Sequence, residues 1–246
     1  MADSPTVEKI NVYNTVTGFN NISQASVSFS EAADPHESGP PLPTSVGLSD
    51  YDKRSPSSCR HPLKDARQRS SDSCEFTLDP NTANSYLSLS DGNRKVEFVK
   101  DSQSYPDHPE RFDGCVQVLC RESLTGRCYW EAEWSGMVDI AVTYNSISRK
   151  GDSADCRFGW NVKSWILSCS DDSYSVYHNN NSTELSARPS SSETVGVYVD
   201  CPAGTLSFYS ISSHTLTHLH TFSTTFTEPL CAGFTVWGLG SSVCLK

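Results

Sequence analysis

The sequence predicts an all-β fold, an antiparallel β-sandwich or barrel, for the part of the chain after Cys74. Three observations lead to this prediction. Short runs in which apolar and polar residues alternate recur along this part, and alternation is the period of a β-strand. Turn-forming Gly, Pro, Asn and Asp residues separate the runs. The i, i+3, i+4 spacing of an amphipathic helix is nearly absent after residue 70.

Two predicted hairpins are identified by their turns. The runs "SYLSLS" and "KVEFVK" flank Asp91 and Gly92, and an Asp-Gly pair between alternating runs is a strong hairpin signal. The runs "ETVGVYVD" and "TLSFYSI" flank "CPAG", in which Pro202 fixes φ and Gly204 permits a positive φ. Further strand-length runs are "MVDIAVTY", "KSWILSCS", "PLCAGFTV" and "SSVCLK".

The stretch "SLTGRCYWEAEWSG", residues 123–136, predicts a strand with two different faces. Trp130, Ala132 and Trp134 fall on one face, which we expect to point into the core. Glu131 and Glu133 fall on the other, about 7 Å apart, within the range that glycosidases use. Any E-x-E strand has this arrangement, so we expect both glutamates to face solvent or to pair with basic residues. The aromatic residues expected in the core are Trp130, Trp134, Tyr198, Phe208 and Phe234.

Composition and charge argue against several classes of protein. The net charge of -10 and the pI of 5.1 argue against general nucleic-acid binding. No apolar run approaches the roughly 18–20 residues of a membrane span, and the start "MADSPTVEKINVY" has no signal-peptide pattern. We therefore expect a cytoplasmic protein. The basic cluster between Lys53 and Arg69 would allow import into the nucleus. No glycan is expected at Asn21, Asn180 or Asn181.

The ten cysteines favour free thiols over a metal site or a disulfide framework. No C-x-x-C pair occurs, and the seven histidines form no partner set beside a cysteine pair, which structural zinc requires. Without a signal peptide, the chain is not expected in the oxidising compartments where disulfides persist. We expect reduced thiols that act as small buried apolar groups, with no metal and no cofactor.

Residues 1–70 are predicted to form a mostly disordered leader, and residues 71–246 are predicted to form the domain. The leader is rich in Pro, Ser and charge and poor in aromatic residues. Such a segment cannot bury enough apolar surface to offset the entropy lost on ordering. We expect it to be dispensable for folding and to be cleaved by proteases between Arg54 and Arg69.

Four stretches, taken in order, resemble the PRY–SPRY domain family. They are "CEFTLDPNTANSYLSLSDGNRKV", "YPDHPERFDGCVQVLCRESLTGRCYWEAEW", "VGVYVDCPAGTLSFYSI" and "EPLCAGFTVWGLGSSVCL". The resemblance runs from near Ser73 to Lys246, and the text looks most like fish versions in tripartite-motif proteins, NACHT-type immune receptors and stonefish toxin subunits. It implies a bent sandwich of two antiparallel sheets, with a short helical turn in the PRY part.

The resemblance also implies a non-catalytic protein- or peptide-recognition module, in innate immunity or in target recognition of the ubiquitin-ligase type. RING and B-box zinc spacings, sustained heptads and a G-x-x-x-x-G-K-[ST] loop do not occur in the sequence, so an effector is expected in a partner or a longer relative. One alternative is a remnant or subunit of a stonefish-like lytic toxin. Another is a hydrolase that uses Glu131 and Glu133, or a pair such as Cys169 and His178.

The family binds its targets through loops at one end of the sandwich, which implies a binding surface in the loops that align here. Aromatic and arginine side chains are the usual anchors of protein interfaces, and Arg149 and Lys150 would select an acidic stretch in a target. For Tyr105, Phe112 and Tyr177, simple covering of the sandwich end is an equally good interpretation. The candidate partner-binding residues are Tyr105, His108, Phe112, Ser148, Arg149, Lys150, Asp172, Tyr174, Tyr177, His178 and Trp237.

Overall fold

The computed structural model describes residues 72–187, 189, 194–212 and 215–246. These residues form eleven strands and no helix. The strands are β1 (Leu87–Ser90), β2 (Lys95–Phe98), β3 (Gln117–Leu124), β4 (Arg127–Tyr144), β5 (Ser164–Cys169), β6 (Tyr174–His178), β7 (Asn181–Glu184), β8 (Thr194–Asp200), β9 (Thr205–Ser212), β10 (Thr215–Ser223) and β11 (Leu230–Leu245). The all-β prediction is therefore confirmed. The predicted leader, residues 1–70, lies outside the described residues.

The strands form a sandwich of two antiparallel layers that share β4 and β11. In the first layer, β8 pairs with residues 127–133 of β4, and β2 pairs with residues 242–244 of β11. In the second layer, β5 pairs with residues 138–143 of β4, and β3 pairs with residues 230–235 of β11. The first layer is completed by β1, β9 and β10, and the second by β6 and β7. Because both long strands pass from one layer into the other, the sandwich is bent, as predicted.

Each of the two long strands joins two runs that look separate in the sequence. In β4 the junction is Gly136, which has a φ of +70° and packs so closely on Ser241 of β11 that a Cβ atom would lie 2.5 Å from the Ser241 hydroxyl. The amide of Met137 donates a hydrogen bond to that hydroxyl at 3.0 Å. In β11 the register shifts between Trp237 and Ser242. The backbone irregularities of both strands therefore lie side by side.

The core between the layers contains most of the predicted aromatic residues. Trp130, Trp134, Phe208 and Phe234 are buried there, so their prediction is confirmed. Tyr198 is also buried, but it packs in a separate tyrosine cluster. Its neighbours on β8, Val197 and Val199, point into the core between the layers, so Tyr198 points to the outer face of the first layer. The members of the tyrosine cluster are Tyr129, Tyr198 and Tyr209.

Both predicted hairpins are confirmed. The turn between β1 and β2 contains Asp91 and Gly92 with φ angles of +51° and +66°, and the turn between β8 and β9 contains Gly204 with a φ of +67°. The short helical turn that the resemblance implied corresponds to a single turn, in which the amide of Thr82 donates to the Asp79 carbonyl at 3.0 Å.

A disulfide joins Cys74 to Cys128, so the expectation that all thiols are reduced is wrong for this pair. The amide of Cys74 donates to the Tyr129 carbonyl at 2.9 Å, which lays the start of the described domain along β4. The two cysteines are 54 positions apart, so no local spacing could reveal the pairing. The other described cysteines are free: Cys115, Cys120, Cys156, Cys169, Cys201, Cys231 and Cys244.

Candidate functional site

The outer face of the second layer, which points away from the core between the layers, carries a row of polar side chains. Val138 and Ile140 of β4 point into the core, so Asp139 between them points outward. The strand register places Thr235 of β11 and Ser168 of β5 on either side of Asp139. A carboxylate therefore lies in the middle of this face.

One end of the outer face carries an exposed apolar patch, here called the Trp237 surface and formed by Met137, Trp237 and Leu239. Met137 and Trp237 are cross-strand partners in β4 and β11, and Leu239 follows in the irregular stretch of β11. The three residues are 47%, 39% and 69% exposed, respectively. Trp237 Nε1 donates a hydrogen bond to Asp139 Oδ2 at 2.9 Å, which fixes the orientation of the partly exposed indole.

Asp139 is buried beneath the Trp237 surface, with only 4% of the residue exposed. Burial raises the pKa of Asp139 to about 6, because the charged form loses its hydration. Hydrogen bonds from Ser168 and Trp237 and the positive charge of Arg157 act on the pKa in the opposite direction. Asp139 thus acts as the acceptor that positions Trp237.

Two loops cover other parts of the outer face, and Arg149 joins them. Its guanidinium donates to the Asn145 carbonyl at 2.9 Å, pairs with the Glu110 carboxylate at 3.1 Å and lies 5.2 Å from the centre of the Phe112 ring. Arg149 is only 7% exposed, and Phe112 is fully buried against Phe158. The structure therefore corrects the prediction that Arg149 is a surface anchor, and for Phe112 it favours the alternative interpretation, in which the ring covers the sandwich. Loop carbonyls and Glu110 occupy the two terminal nitrogens of Arg149, and Phe112 is part of a packed cluster.

Lys150 and His108 remain accessible on the same pair of loops. Lys150 Nζ donates to the Arg111 carbonyl at 3.0 Å and to the His108 carbonyl at 3.3 Å, while half of the Lys150 side chain stays exposed. Ser148 is exposed two residues before Lys150. The structure thus brings His108 and Lys150 together and leaves Ser148, two positions before Lys150, open to solvent.

Four further predicted residues are separated by the strands. The Tyr105 hydroxyl donates to a backbone carbonyl of β1 at 2.9 Å. Tyr177 is half-buried on the outer face of the second layer, and Asp172 is exposed in the turn between β5 and β6. His178 stacks on Trp165 at 4.7 Å, at the end of the β5–β6 pair that lies away from the Trp237 surface. The predicted residues therefore do not form one continuous surface.

Tyr174 is a core residue, which corrects its prediction as a surface anchor. It is fully buried and packs edge-to-face on Trp134, with the ring centres 6.2 Å apart. The register pairs Tyr174 with Cys169, whose side chain also points into the core. Strand register decides which of two alternating residues points inward, and the sequence beside a turn does not reveal it.

Of the two residue pairs in the hydrolase alternative, Cys169 and His178 are not brought together, and Glu131 and Glu133 each contact a different side chain. Cys169 and His178 lie at opposite ends of the β5–β6 pair, and burial raises the pKa of the Cys169 thiol well above its usual value. Glu131 accepts a hydrogen bond from the Tyr129 hydroxyl at 2.6 Å, whereas Glu133 forms an ion pair with Lys246. Each carboxylate thus has a structural partner of its own.

The described residues contain neither a metal-binding cluster nor a membrane-spanning helix. In this part of the chain, no group of three His, Cys, Asp or Glu side chains is arranged to hold a metal ion. The same residues include no helix that is long and apolar enough to span a membrane.

Sequence reasoning missed Met137, Asp139 and Leu239. Asp139 carries a signal, because a lone carboxylate in the apolar run "MVDIAVTY" needs a partner if both faces of the strand are covered. Met137 and Leu239 carry none, since single apolar residues are common at protein surfaces. Only the register of β4 and β11 brings Met137 beside Trp237.

Comparisons with known proteins agree with this architecture. Residues 76–124 match PRY, an SPRY-associated domain, and residues 127–246 match the SPRY domain. The chain is 43% identical over 175 residues to stonustoxin subunit beta of Synanceia horrida, which covers 71% of this chain and 25% of that subunit. It is 36% identical over 164 residues to tripartite motif-containing protein 16 of Mus musculus, which covers 65% of this chain and 29% of that protein.

Two solved structures share the fold. The stonustoxin structure aligns with a TM-score of 0.67 and 37% identity, covering 71% of this chain and 29% of that chain. The crystal structure of the TRIM65 PSpry domain aligns with a TM-score of 0.66 and 27% identity, covering 84% of this chain and 98% of that chain. The chain spans only about 25% of the toxin subunits that it matches. Its two matched segments and the shared sandwich place the chain in the PRY–SPRY family.

Proposed function

We propose that this chain is a non-catalytic recognition module that binds a protein or peptide at the Trp237 surface. Five large hydrophobic residues are exposed in the described part of the chain, and three of them form this surface. Clustered exposed apolar residues with a polar rim mark interaction sites on soluble proteins. SPRY domains are typically interaction modules. The exposed side chains of the Trp237 surface are the observation that assigns the proposed binding to one place on the domain.

The hydrogen bond between Trp237 and Asp139 supports an anchoring role for the indole. Tryptophan is enriched among residues that contribute most to binding energy. A ring already held in one orientation loses less conformational entropy when a partner binds. The buried Asp139 carboxylate, 2.9 Å from the indole nitrogen, supplies that restraint.

Lys150 and His108 form a second, weaker part of the proposed interface. With Arg149 buried, Lys150 is the cation of the predicted pair that is open to solvent. We infer that it favours targets with an acidic stretch beside their apolar segment. An exposed ion pair contributes only about 0–1 kcal/mol, so this contact selects among partners more than it adds affinity.

The wider role that we propose is target recognition of the ubiquitin-ligase type or in innate immunity, in the cytoplasm and, through the basic cluster, in the nucleus. The similarity to a tripartite motif-containing protein supports the first of these roles. The catalytic or signalling step would then belong to a partner or to another part of a longer protein.

A second candidate function is that of a lytic toxin subunit or its remnant. The observation that favours it is the 43% identity to stonustoxin subunit beta. Erythrocyte lysis distinguishes the two functions: release of haemoglobin by the purified chain would favour the toxin, whereas absence of lysis together with specific capture of a partner would favour recognition.

The binding site is tested by affinity capture from cell lysate with the full chain as bait. Trp237→Ala should weaken the captured interaction by at least about 2 kcal/mol, or roughly 30-fold in Kd, without loss of fold. Tyr86→Ala is the matched control, because Tyr86 is equally exposed, at 39%, but lies away from the site, where it stacks on Phe98. Full affinity of Trp237→Ala combined with loss of affinity in Tyr86→Ala would place the site elsewhere.

A further inference from the structure

Two buried thiols lie in contact beneath the loop between β4 and β5. Cys115 belongs to the segment that leads into β3, and Cys156 belongs to the β4–β5 loop, 41 positions later. Their sulfur atoms are 3.3 Å apart, and both residues are buried, at 6% and 0% exposure. Neither the fold nor the proposed binding surface accounts for this contact.

The backbone on both sides holds the two sulfur atoms in place. The Cys156 thiol lies 3.0 Å from the Gly151 carbonyl, and the Gln117 side chain donates to the Cys156 carbonyl at 2.8 Å. Gly114 packs so tightly on Gly151 that a Cβ atom would lie 2.3 Å from the Gly151 oxygen. The two segments therefore approach each other at several points, and the sulfur atoms, 3.3 Å apart, are only about 1.3 Å farther apart than in a disulfide bond.

We propose that Cys115 and Cys156 are a redox-active dithiol, which a peroxide oxidises to an intramolecular disulfide that locks the β4–β5 loop onto the segment before β3. The Cys115 sulfur attacks one oxygen of hydrogen peroxide, the O–O bond breaks, and a sulfenic acid and water result. The Cys156 sulfur then attacks the sulfenic sulfur, the S–O bond breaks, and the hydroxide leaves as water with the Cys156 proton. Overall, two thiols lose two electrons and two protons, and the peroxide is reduced to two water molecules.

Other free cysteines of the domain lack this arrangement. Cys120 and Cys231 occur on neighbouring strands, β3 and β11, but Cys120 belongs to the core between the layers and Cys231 to the cluster on the outer face. Their side chains point to opposite sides of the second layer. The geometry thus selects Cys115 and Cys156 over this second pair of buried thiols.

Burial makes the proposed reaction slow at neutral pH. Burial, followed by the neighbouring Cys156 thiol, raises the pKa of Cys115 to about 12. The thiolate is the reactive form, so disulfide formation should accelerate steadily as the pH rises towards that value.

The test uses the purified full chain, treated with hydrogen peroxide while folded, then unfolded, blocked with N-ethylmaleimide, and digested without reduction. Mass spectrometry should find a peptide pair that joins Cys115 to Cys156, with the loss of these two alkylatable thiols and no change at Cys120 or Cys231. The closed loop should also become more resistant to proteases, because a cross-link restricts its opening. The linkage is read from the unmodified chain, so the test does not depend on a variant that folds.

Variants add a matched comparison. Cys156→Ser should abolish the linkage and leave Cys115 as a sulfenic or more oxidised acid, whereas Cys120→Ser should retain the linkage. Recovery of both thiols in reduced form after peroxide treatment of the folded chain would overturn the proposal. So would linkage of either cysteine to a different partner, or irreversible oxidation of Cys115 in the unmodified chain.

Discussion

Asp139 is a buried acidic residue that contacts the proposed binding surface. Its carboxylate is buried, yet it accepts the hydrogen bond that orients the partly exposed Trp237. Burial is the largest influence on its pKa and raises it from 3.8 to about 6. The ionised form is therefore less favourable in the folded protein than in the unfolded chain, so Asp139 contributes to the pH dependence of folding stability.

Replacing Asp139 by Asn should remove this pH dependence. The folded protein binds the proton more tightly than the unfolded chain, so the free energy of unfolding should fall as the pH rises from about 4 to about 6 and then level off. The raised pKa corresponds to on the order of 3 kcal/mol across this window. Urea unfolding at several pH values measures the effect. Identical pH profiles for Asp139→Asn and the unmodified protein would contradict the assignment.

Trp130 provides a second prediction at the scale of the residue. It is 3% exposed and packs edge-to-face on Phe76, with the ring centres 5.1 Å apart. Trp130→Ala should destabilise the fold by about 3–5 kcal/mol, because it removes a large buried side chain and leaves a cavity. Trp237→Ala is the matched control, since that indole is partly exposed, and its melting temperature should fall less. A Trp130→Ala protein that melts like the unmodified protein would show that the strand faces are assigned incorrectly.

The turn between β8 and β9 gives a prediction at the scale of the element. Gly204 and Gly92 both have positive φ angles, +67° and +66°, but a Cβ atom at Gly204 would lie 1.9 Å from the Thr224 carbonyl, whereas nothing lies within 4 Å at Gly92. Alanine at either position incurs about 1–2 kcal/mol of backbone strain. Gly204→Ala should cost roughly 1–3 kcal/mol more, because the added atom enters a packed site. Chemical denaturation compares the two variants, and equal losses would refute the close contact.

The hairpins could be predicted from sequence, whereas the continuity of the long strands could not. A hairpin turn is determined by residues that are close together in the sequence. Asp91, Gly92 and Gly204 are residue types that favour turns, and all three have the positive φ angles that these turns require. The runs on either side of Gly136 look separate, because a glycine inside a strand usually weakens it. They join in β4 because Ser241, more than a hundred positions later, packs against Gly136 and accepts the amide of Met137. Such a partner is visible only in three dimensions.

At the scale of the whole molecule, the disulfide between Cys74 and Cys128 ties the start of the described domain to β4. It closes a long loop, with a sequence separation of 54. Reduction should lower the stability by about 2–4 kcal/mol, since the unfolded chain regains freedom. Alkylation of the unfolded, unreduced chain should leave these two cysteines unlabelled and label Cys115 and Cys244. Cys244→Ser is the control, because it removes a free thiol and leaves the disulfide intact, so its melting temperature should not change unless the disulfide is reduced. Labelling of Cys74 before reduction would contradict the linkage.

The candidate site was predicted in part, and its errors share one cause. The sequence places Trp237 in an accessible stretch, and the structure exposes it, although its role in binding stays a prediction. Tyr174, Phe112 and Arg149 have the side chains of interface anchors but are buried. Residue type indicates what a side chain can contribute, whereas register and loop packing decide whether it reaches the surface. Neither the strand register nor the loop packing can be obtained from the sequence of a loop whose contacting residues are distant along the chain.

The position of both ends of the described domain beside β4 has a consequence for protein engineering. Ser73 forms a bridge with Tyr129, and Leu245 pairs with Ala132, so both ends of the described domain lie along one strand. At about 3.3 Å per residue, the two attachment points are roughly 10 Å apart along β4. A linker of a few residues can therefore connect Lys246 to Ser73, and new ends can be opened at the exposed Gly92 turn. The domain is thus suited to circular permutation, in which the order of the strands changes while their neighbours remain the same.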